Sequence, residues 1–128
     1  MESGRWFTKA QMKQLRRLAG TVWERELSGA LTELEAEFRR WRAGDISPLE
    51  LSDLIHEFHD GINRELWKRH TYLKPPHLVA RAVATGTLRE DELDPAILPR
   101  LQVSIDYFRE DVSREAAPDE PDDESEGA

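Results

Sequence analysis

The sequence predicts an all-α fold, in which a long antiparallel helical hairpin precedes two or three shorter helices and a disordered acidic tail. Two observations support this prediction. Apolar residues recur at steps of three and four over two long stretches, which is the spacing of one helix face. No stretch alternates convincingly between apolar and polar residues, as a half-buried strand does. The 128 residues are expected to form one helical domain at 1–112, followed by the tail at 113–128.

The first helix is predicted to begin after Thr8, a suitable N-cap, and to run to about Ala43. Gly44 then supplies a C-terminal stop. Because the connection through Ile46 is short, the next helix is expected to fold back antiparallel. The apolar stripe of this first helix consists of Met12, Leu15, Ala19, Trp23, Leu27, Ala30, Leu34, Phe38 and Trp41.

The second long helix is predicted over residues 47–73. Ser47 and Glu50 have the spacing of a capping box, and Pro48 occupies the first helical position. Gly61 interrupts the pattern and weakens the helix there. The apolar stripe consists of Leu51, Leu54, Ile55, Phe58, Ile62 and Leu66. A polar seam, formed by Ser52, His56, His59, Asn63, Trp67 and His70, is expected to adjoin it.

Shorter segments follow. A third helix is predicted at 76–84, closed by Gly86. Thr87 and Glu90 repeat the spacing of a capping box and are expected to open a short turn. From Pro99 onward, a last helix is predicted from the stripe of Leu101, Ile105, Phe108 and Val112.

Charge and composition narrow the class of protein. The net charge is -8, and residues 113–128 carry seven acids against one arginine, which leaves a nearly balanced body. Low hydrophobicity with like charge predicts disorder in that tail. A balanced body and the acidic segment 88–93 argue against DNA binding. The absence of cysteine suits the cytoplasm, and no apolar run reaches the roughly 20 residues of a membrane span.

A metal site between the two long helices is one hypothesis. In an antiparallel hairpin, facing positions sum to about 90–91, which sets Glu33 level with His56 to His59 and Glu37 level with Asp53, so that Glu33, Glu37, His56 and His59 are the predicted metal ligands. Imidazole with carboxylate suits Zn, Fe or Mn. The pair Asp53-x-x-His56 loosely resembles the Glu-x-x-His ligands of ferritin-like di-iron proteins. That family uses two such pairs on four helices, so the resemblance implies a dimer that completes the set.

A ribonuclease is a second hypothesis. Arg64-x5-His70 resembles the R-x4-6-H motif of the HEPN ribonucleases, which are all-α and dimeric. The resemblance implies that RNA is the partner and that the two motifs meet across the dimer. It covers seven residues, and Glu65 stands where that family usually has a polar residue.

The leading hypothesis is a protein-interaction module. Two long amphipathic helices followed only by short ones are expected to leave apolar surface exposed, so a second copy or another protein is the predicted partner. Trp67, with Asn63 and His70 beside it on the polar seam, is the predicted interface anchor. Under this hypothesis the sequence names no substrate, and it leaves open whether the protein is an enzyme.

Overall fold

The computed structural model describes residues 7–116, and it confirms the all-α prediction because every regular element in that range is a helix. Five α-helices, one π-helical segment and one 3₁₀ turn follow in order: α1 (Lys9–Arg42), α2 (Pro48–Phe58), the π segment (His59–Asn63), α3 (Arg64–Tyr72), α4 (Pro75–Thr85), the 3₁₀ turn (Glu90–Glu92) and α5 (Leu98–Ala116).

The last helix is longer than predicted. Helix α5 extends to Ala116, so residues 113–116, predicted as the start of the disordered segment, are helical. The arginine, glutamate and alanine in that stretch are good helix formers, which lets the helix continue beyond its apolar stripe. The remainder of the predicted tail, 117–128, lies outside the described residues.

Helix α1 begins as the sequence predicts. The Thr8 hydroxyl accepts a hydrogen bond from the Gln11 amide at 3.1 Å, and the Gln11 side chain accepts one from the Thr8 amide at 2.9 Å. This reciprocal capping box satisfies two of the donors that a helix start leaves unpaired. At the other end, Gly44 adopts a φ of 83°, a conformation that glycine reaches without strain.

The second predicted helix is divided. It begins as expected, with the Ser47 hydroxyl accepting from the Glu50 amide at 3.1 Å and Pro48 in the first turn. Around Gly61, however, the backbone forms the π segment, whose turns hold more residues than an α-helix. Side chains beyond Asn63 are therefore rotated away from the positions that a uniform helical spacing predicts.

The helices after α3 lie close to the positions that the sequence predicts. Helix α4 ends at Thr85 and is capped by Gly86, whose φ of 87° is left-handed. The predicted capping box of Thr87 and Glu90 is wrong. Instead, the Glu92 carboxylate accepts the Arg89 amide hydrogen at 2.9 Å and holds the 3₁₀ turn.

The main core lies between the first half of α1, α4 and α5. Its buried side chains are Leu15, Leu18, Val22, Val79, Ala80, Ala82, Val83, Leu88, Leu93, Ile97, Leu101 and Ile105. Val22 is the last α1 residue in this core, and α1 also contacts α2, the π segment and α3. We call residues 24–73 the arm. Only Ile46, Leu51 and Leu66 are buried apolar residues there, among the residues that the structure describes.

Candidate functional site

A cluster of charged groups joins the arm to the core. The Glu26 carboxylate on α1 lies 2.8 Å from His70 Nε2 and 3.4 Å from Arg69 Nη1, both on α3, and 3.7 Å from Arg81 Nη1 on α4. The Glu26 side chain is 14% exposed and that of His70 only 2%. One carboxylate therefore contacts side chains of two other helices. Hydrogen bonds between charged groups are stronger where water is excluded, so these contacts stabilise the packing of the three helices.

The side chain of His70 is buried within this junction between the arm and the core. Because its Nε2 faces a carboxylate oxygen, that nitrogen carries a hydrogen and donates it to Glu26. Its other nitrogen, Nδ1, is buried and has no hydrogen-bond partner in the described chain. The ring stacks on Trp23 with centroids 5.1 Å apart and planes 5° from parallel. The imidazole is therefore fixed by packing and by one strong bond.

The positive charges of Arg69 and Arg81 in this cluster are compensated by nearby acids. Burial lowers the pKa of Arg81, and the nearby charge of Arg69 lowers it further. Glu26, with Glu115 and Asp111 from α5, opposes both effects by stabilising the guanidinium charge. Two partly buried cations thus share several acids, and the cluster does not present an uncompensated positive charge.

A groove runs along the arm on the side of α4. It has a volume of about 770 Å³. The lining consists of Arg25, Glu26, Gly29, Ala30, Glu33, Leu34, Glu37, Leu54, Glu57, Phe58, Ile62, Leu66, Arg69, Arg81, Thr85 and Thr87. Its apolar side chains come from α1, α2 and the helical turns after α2. We call this feature the arm groove.

The two kinds of charge along the arm groove differ in how they are neutralised. Arg25 donates two hydrogen bonds to the Glu92 carboxylate, at 2.8 and 3.0 Å. The other two arginines at that end lie against Glu26. In contrast, Glu33 and Glu57 form no ion pair within residues 7–116. The unbalanced charge of the groove is therefore negative.

A second, smaller pocket of about 380 Å³ lies elsewhere on the arm, lined by Trp23, Leu27, His59, Asp60, Asn63, Arg64 and Trp67. It contains two of the three predicted interface residues. Trp67 is 51% exposed and contacts Tyr72 edge to face. The third, His70, is enclosed and offers no surface to a partner. Both Trp67 and His70 lie on α3, and His70 is on the side of that helix that packs against Trp23 of α1.

The predicted metal ligands are not brought together. Glu33 and Glu37 line the arm groove, His59 lines the smaller pocket, and His56 lines neither. Among residues 7–116, no group of three or more histidine, cysteine, aspartate or glutamate side chains could hold a metal ion. The zinc, iron or manganese site therefore stays a prediction, and elemental analysis of protein purified without a nickel column tests it.

The two residues of the predicted ribonuclease motif differ in their exposure. Arg64 is exposed at the start of α3, whereas the His70 imidazole is buried and bound to Glu26. To reach an RNA phosphate, His70 has to break that bond and leave its stack with Trp23. The ribonuclease hypothesis stays a prediction, to which this geometry lends no support.

Sequence reasoning missed Glu26 as the partner of His70. A facing sum of about 90–91 sets Glu26 opposite residues 64–65, yet the bonded pair sums to 96. The signal was the glycine at position 61, which marks the π segment and the change of register. No sequence pattern indicated that Arg81, which lies on α4, contacts Glu26.

Comparison of the chain with protein-family models, with curated proteins and with solved structures finds no match. In the described part of the chain, no helix combines the length and the apolar character needed to cross a bilayer.

Proposed function

We propose that this protein is a helical interaction module that self-associates through the arm. In this proposal, α1 and the segment from α2 to α3 form an antiparallel hairpin, and two hairpins pack together as in a four-helix bundle. The stacking of Trp23 on His70, together with the shared groove lining of Glu37 and Leu54, supports the antiparallel direction. The cytoplasmic location predicted from composition belongs to the same proposal.

The distribution of apolar side chains carries the proposal. Among residues 7–116, eleven large apolar side chains are exposed, and nine of them lie between residues 31 and 73. In the described part of α4, α5 and the first half of α1, Val103 and Tyr107 are the only large apolar side chains that are exposed. A small unit buries a small fraction of its surface, so covering these exposed side chains with a partner stabilises the arm.

One face of α1 suits a second copy. Leu31 and Phe38 are seven residues apart, so they lie on the same helix face, and their side chains are 47% and 38% exposed. Neither lines the arm groove. We call this pair the outer face. Nearby, Glu35 and Arg39 form an ion pair at 3.4 Å. Mixed charge beside apolar residues is compatible with an identical surface on a partner.

Light scattering tests the proposal. The wild type is expected to have twice the chain mass of 14.8 kDa at tens of micromolar. Replacing Leu31→Glu or Phe38→Glu sets like charges across the interface and is expected to reduce the mass to one chain. Val103→Glu is the matched control, because Val103 is 84% exposed on α5, outside the arm.

Circular dichroism of each variant separates loss of association from loss of fold. A strict monomer in the wild type contradicts the proposal. So does a Val103→Glu variant that dissociates as completely as the two variants of the outer face.

A further inference from the structure

The arm groove has the form of a cleft that lacks one helix. At one end, Thr85 of α4 contributes to its lining. Further along, Glu33, Leu34 and Glu37 of α1 face Leu54 and Glu57 of α2, and no other helix of residues 7–116 lines that part. We infer that this groove binds an amphipathic helix with basic flanks, supplied by another protein.

The dimensions fit a short helix. Arg25 and Glu37 mark the extent of the lining on α1, and the twelve helical steps between them, at 1.5 Å each, span roughly 18 Å. A guest helix of about three turns therefore fits, placing apolar side chains at steps of three and four toward the groove. On the arm, Phe58 and Ile62 contribute to the apolar wall, and Ile62 is still 40% exposed.

Charge determines which helix fits. Glu33 on α1 and Glu57 on α2 contribute carboxylates from both helices and have no ion-pair partner in the described chain. Glu37 adds a third, although Arg40 binds it at 2.8 Å. Lysine or arginine side chains on the flanks of a guest helix can pair with these acids while its apolar face enters the groove.

The same charges oppose a second copy in this groove. If two arms met groove to groove, Glu33 and Glu57 of each chain would approach carboxylates of the other, and like charges across an interface are unfavourable. The groove thus belongs to a different partner from the outer face. The inference goes beyond the proposed self-association, since it concerns a separate surface and can hold where the other fails.

Fluorescence anisotropy with designed peptides tests the inference. The probe is a fluorescein-labelled peptide of about 14 residues, with leucines at steps of three and four and lysines elsewhere. A second peptide replaces every lysine with glutamate, and a third scrambles the lysine peptide so that its leucines no longer share a face. The lysine peptide is expected to bind the full chain at least about tenfold more tightly than either control, and to weaken with salt.

Matched protein variants locate the binding. The double variant Glu33→Gln/Glu57→Gln is expected to weaken the lysine peptide by about tenfold, or roughly threefold for each acid. Glu24→Gln/Glu65→Gln changes the net charge equally at exposed positions outside the groove, and is expected to change affinity less than about twofold. Circular dichroism confirms that both variants stay folded.

Any one of three results overturns the inference. The first is that the lysine and glutamate peptides bind with the same affinity, and the second is that the control variant loses as much affinity as the groove variant. The third is that the groove variant changes the mass of the protein instead of its affinity for the peptide. The last result assigns the groove to a second copy. Repeating the titration with Phe38→Glu keeps the two proposals apart, because a monomeric arm is expected to bind the lysine peptide unchanged.

Discussion

Replacing Glu26 with glutamine tests the junction between the arm and the core. The substitution keeps the shape of the side chain and removes its charge, so His70 Nε2 retains a weaker acceptor at the same place. Hydrogen bonds to charged groups contribute about 1.5–3 kcal/mol and neutral ones about 0.5–1.5 kcal/mol, so this bond alone loses roughly 1 kcal/mol. Arg69 and Arg81 also lose their shared carboxylate in a partly buried place. Since removing one member of a buried ion pair leaves the other uncompensated, we expect about 2–3 kcal/mol of destabilisation in total.

Urea unfolding monitored by circular dichroism, at one fixed protein concentration, measures this loss. At roughly 4 °C per kcal/mol for a chain of this size, the melting temperature is expected to fall by about 8–12 °C. Glu90→Gln, outside the arm, is the matched control. The side chains of Glu90 and its partner Arg109 are 50% and 46% exposed, and such surface pairs contribute at most about 1 kcal/mol.

A double-mutant cycle isolates the pair itself. Combining Glu26→Gln with His70→Ala is expected to give a coupling energy of about 1–2 kcal/mol, because the two side chains share a short bond away from water. If Glu26→Gln costs no more than Glu90→Gln, or if the coupling is zero within error, then the cluster does not hold the arm to the core.

Further predictions concern the backbone, the pH response and the core. Gly86→Ala is expected to destabilise the protein by about 1 kcal/mol, because the φ of 87° at Gly86 is left-handed. Gly20→Ala, within α1 and with open space beside it, is expected to stabilise the protein by about 0.5–1 kcal/mol. Thermal melts in which both variants shift in the same direction contradict this. The hydrogen bonds from Arg25 lower the pKa of Glu92 to about 2, so the stability they contribute is present above the ordinary glutamate pKa and is lost as pH falls from about 4 toward 2. Glu92→Gln is therefore expected to flatten the acid side of a melting-temperature profile, and an unchanged profile counts against the pairing. Ile105→Ala empties a fully buried position and is expected to cost about 2–5 kcal/mol in urea unfolding, and a loss below 1 kcal/mol would refute the packing of α5.

Local patterns determined the helices because their causes lie within a few residues. Thr8, Ser47 and Pro48 mark helix starts through bonds and backbone angles that need no distant partner. The apolar steps of three and four likewise follow from the geometry of a single helix. For this reason the all-α class and most helix bounds could be predicted from the sequence.

The register between helices could not be predicted in the same way. A uniform helical period does not include the π segment at His59–Asn63, which rotates the later side chains. A sum of positions for a uniform hairpin therefore predicted Glu33 beside His56 and His59, whereas the structure joins Glu26 to His70.

The sequence by itself determined that this protein is helical, that its two longest amphipathic stretches lie in the first 73 residues, and that most of its net negative charge lies in residues 113–128. Only the tertiary structure decided which apolar side chains remain exposed. Helix α4 ends at Thr85 and α5 packs on the core, so neither covers the arm. Burial depends on which surfaces the connections allow to meet, and such contacts between distant residues are absent from any local pattern.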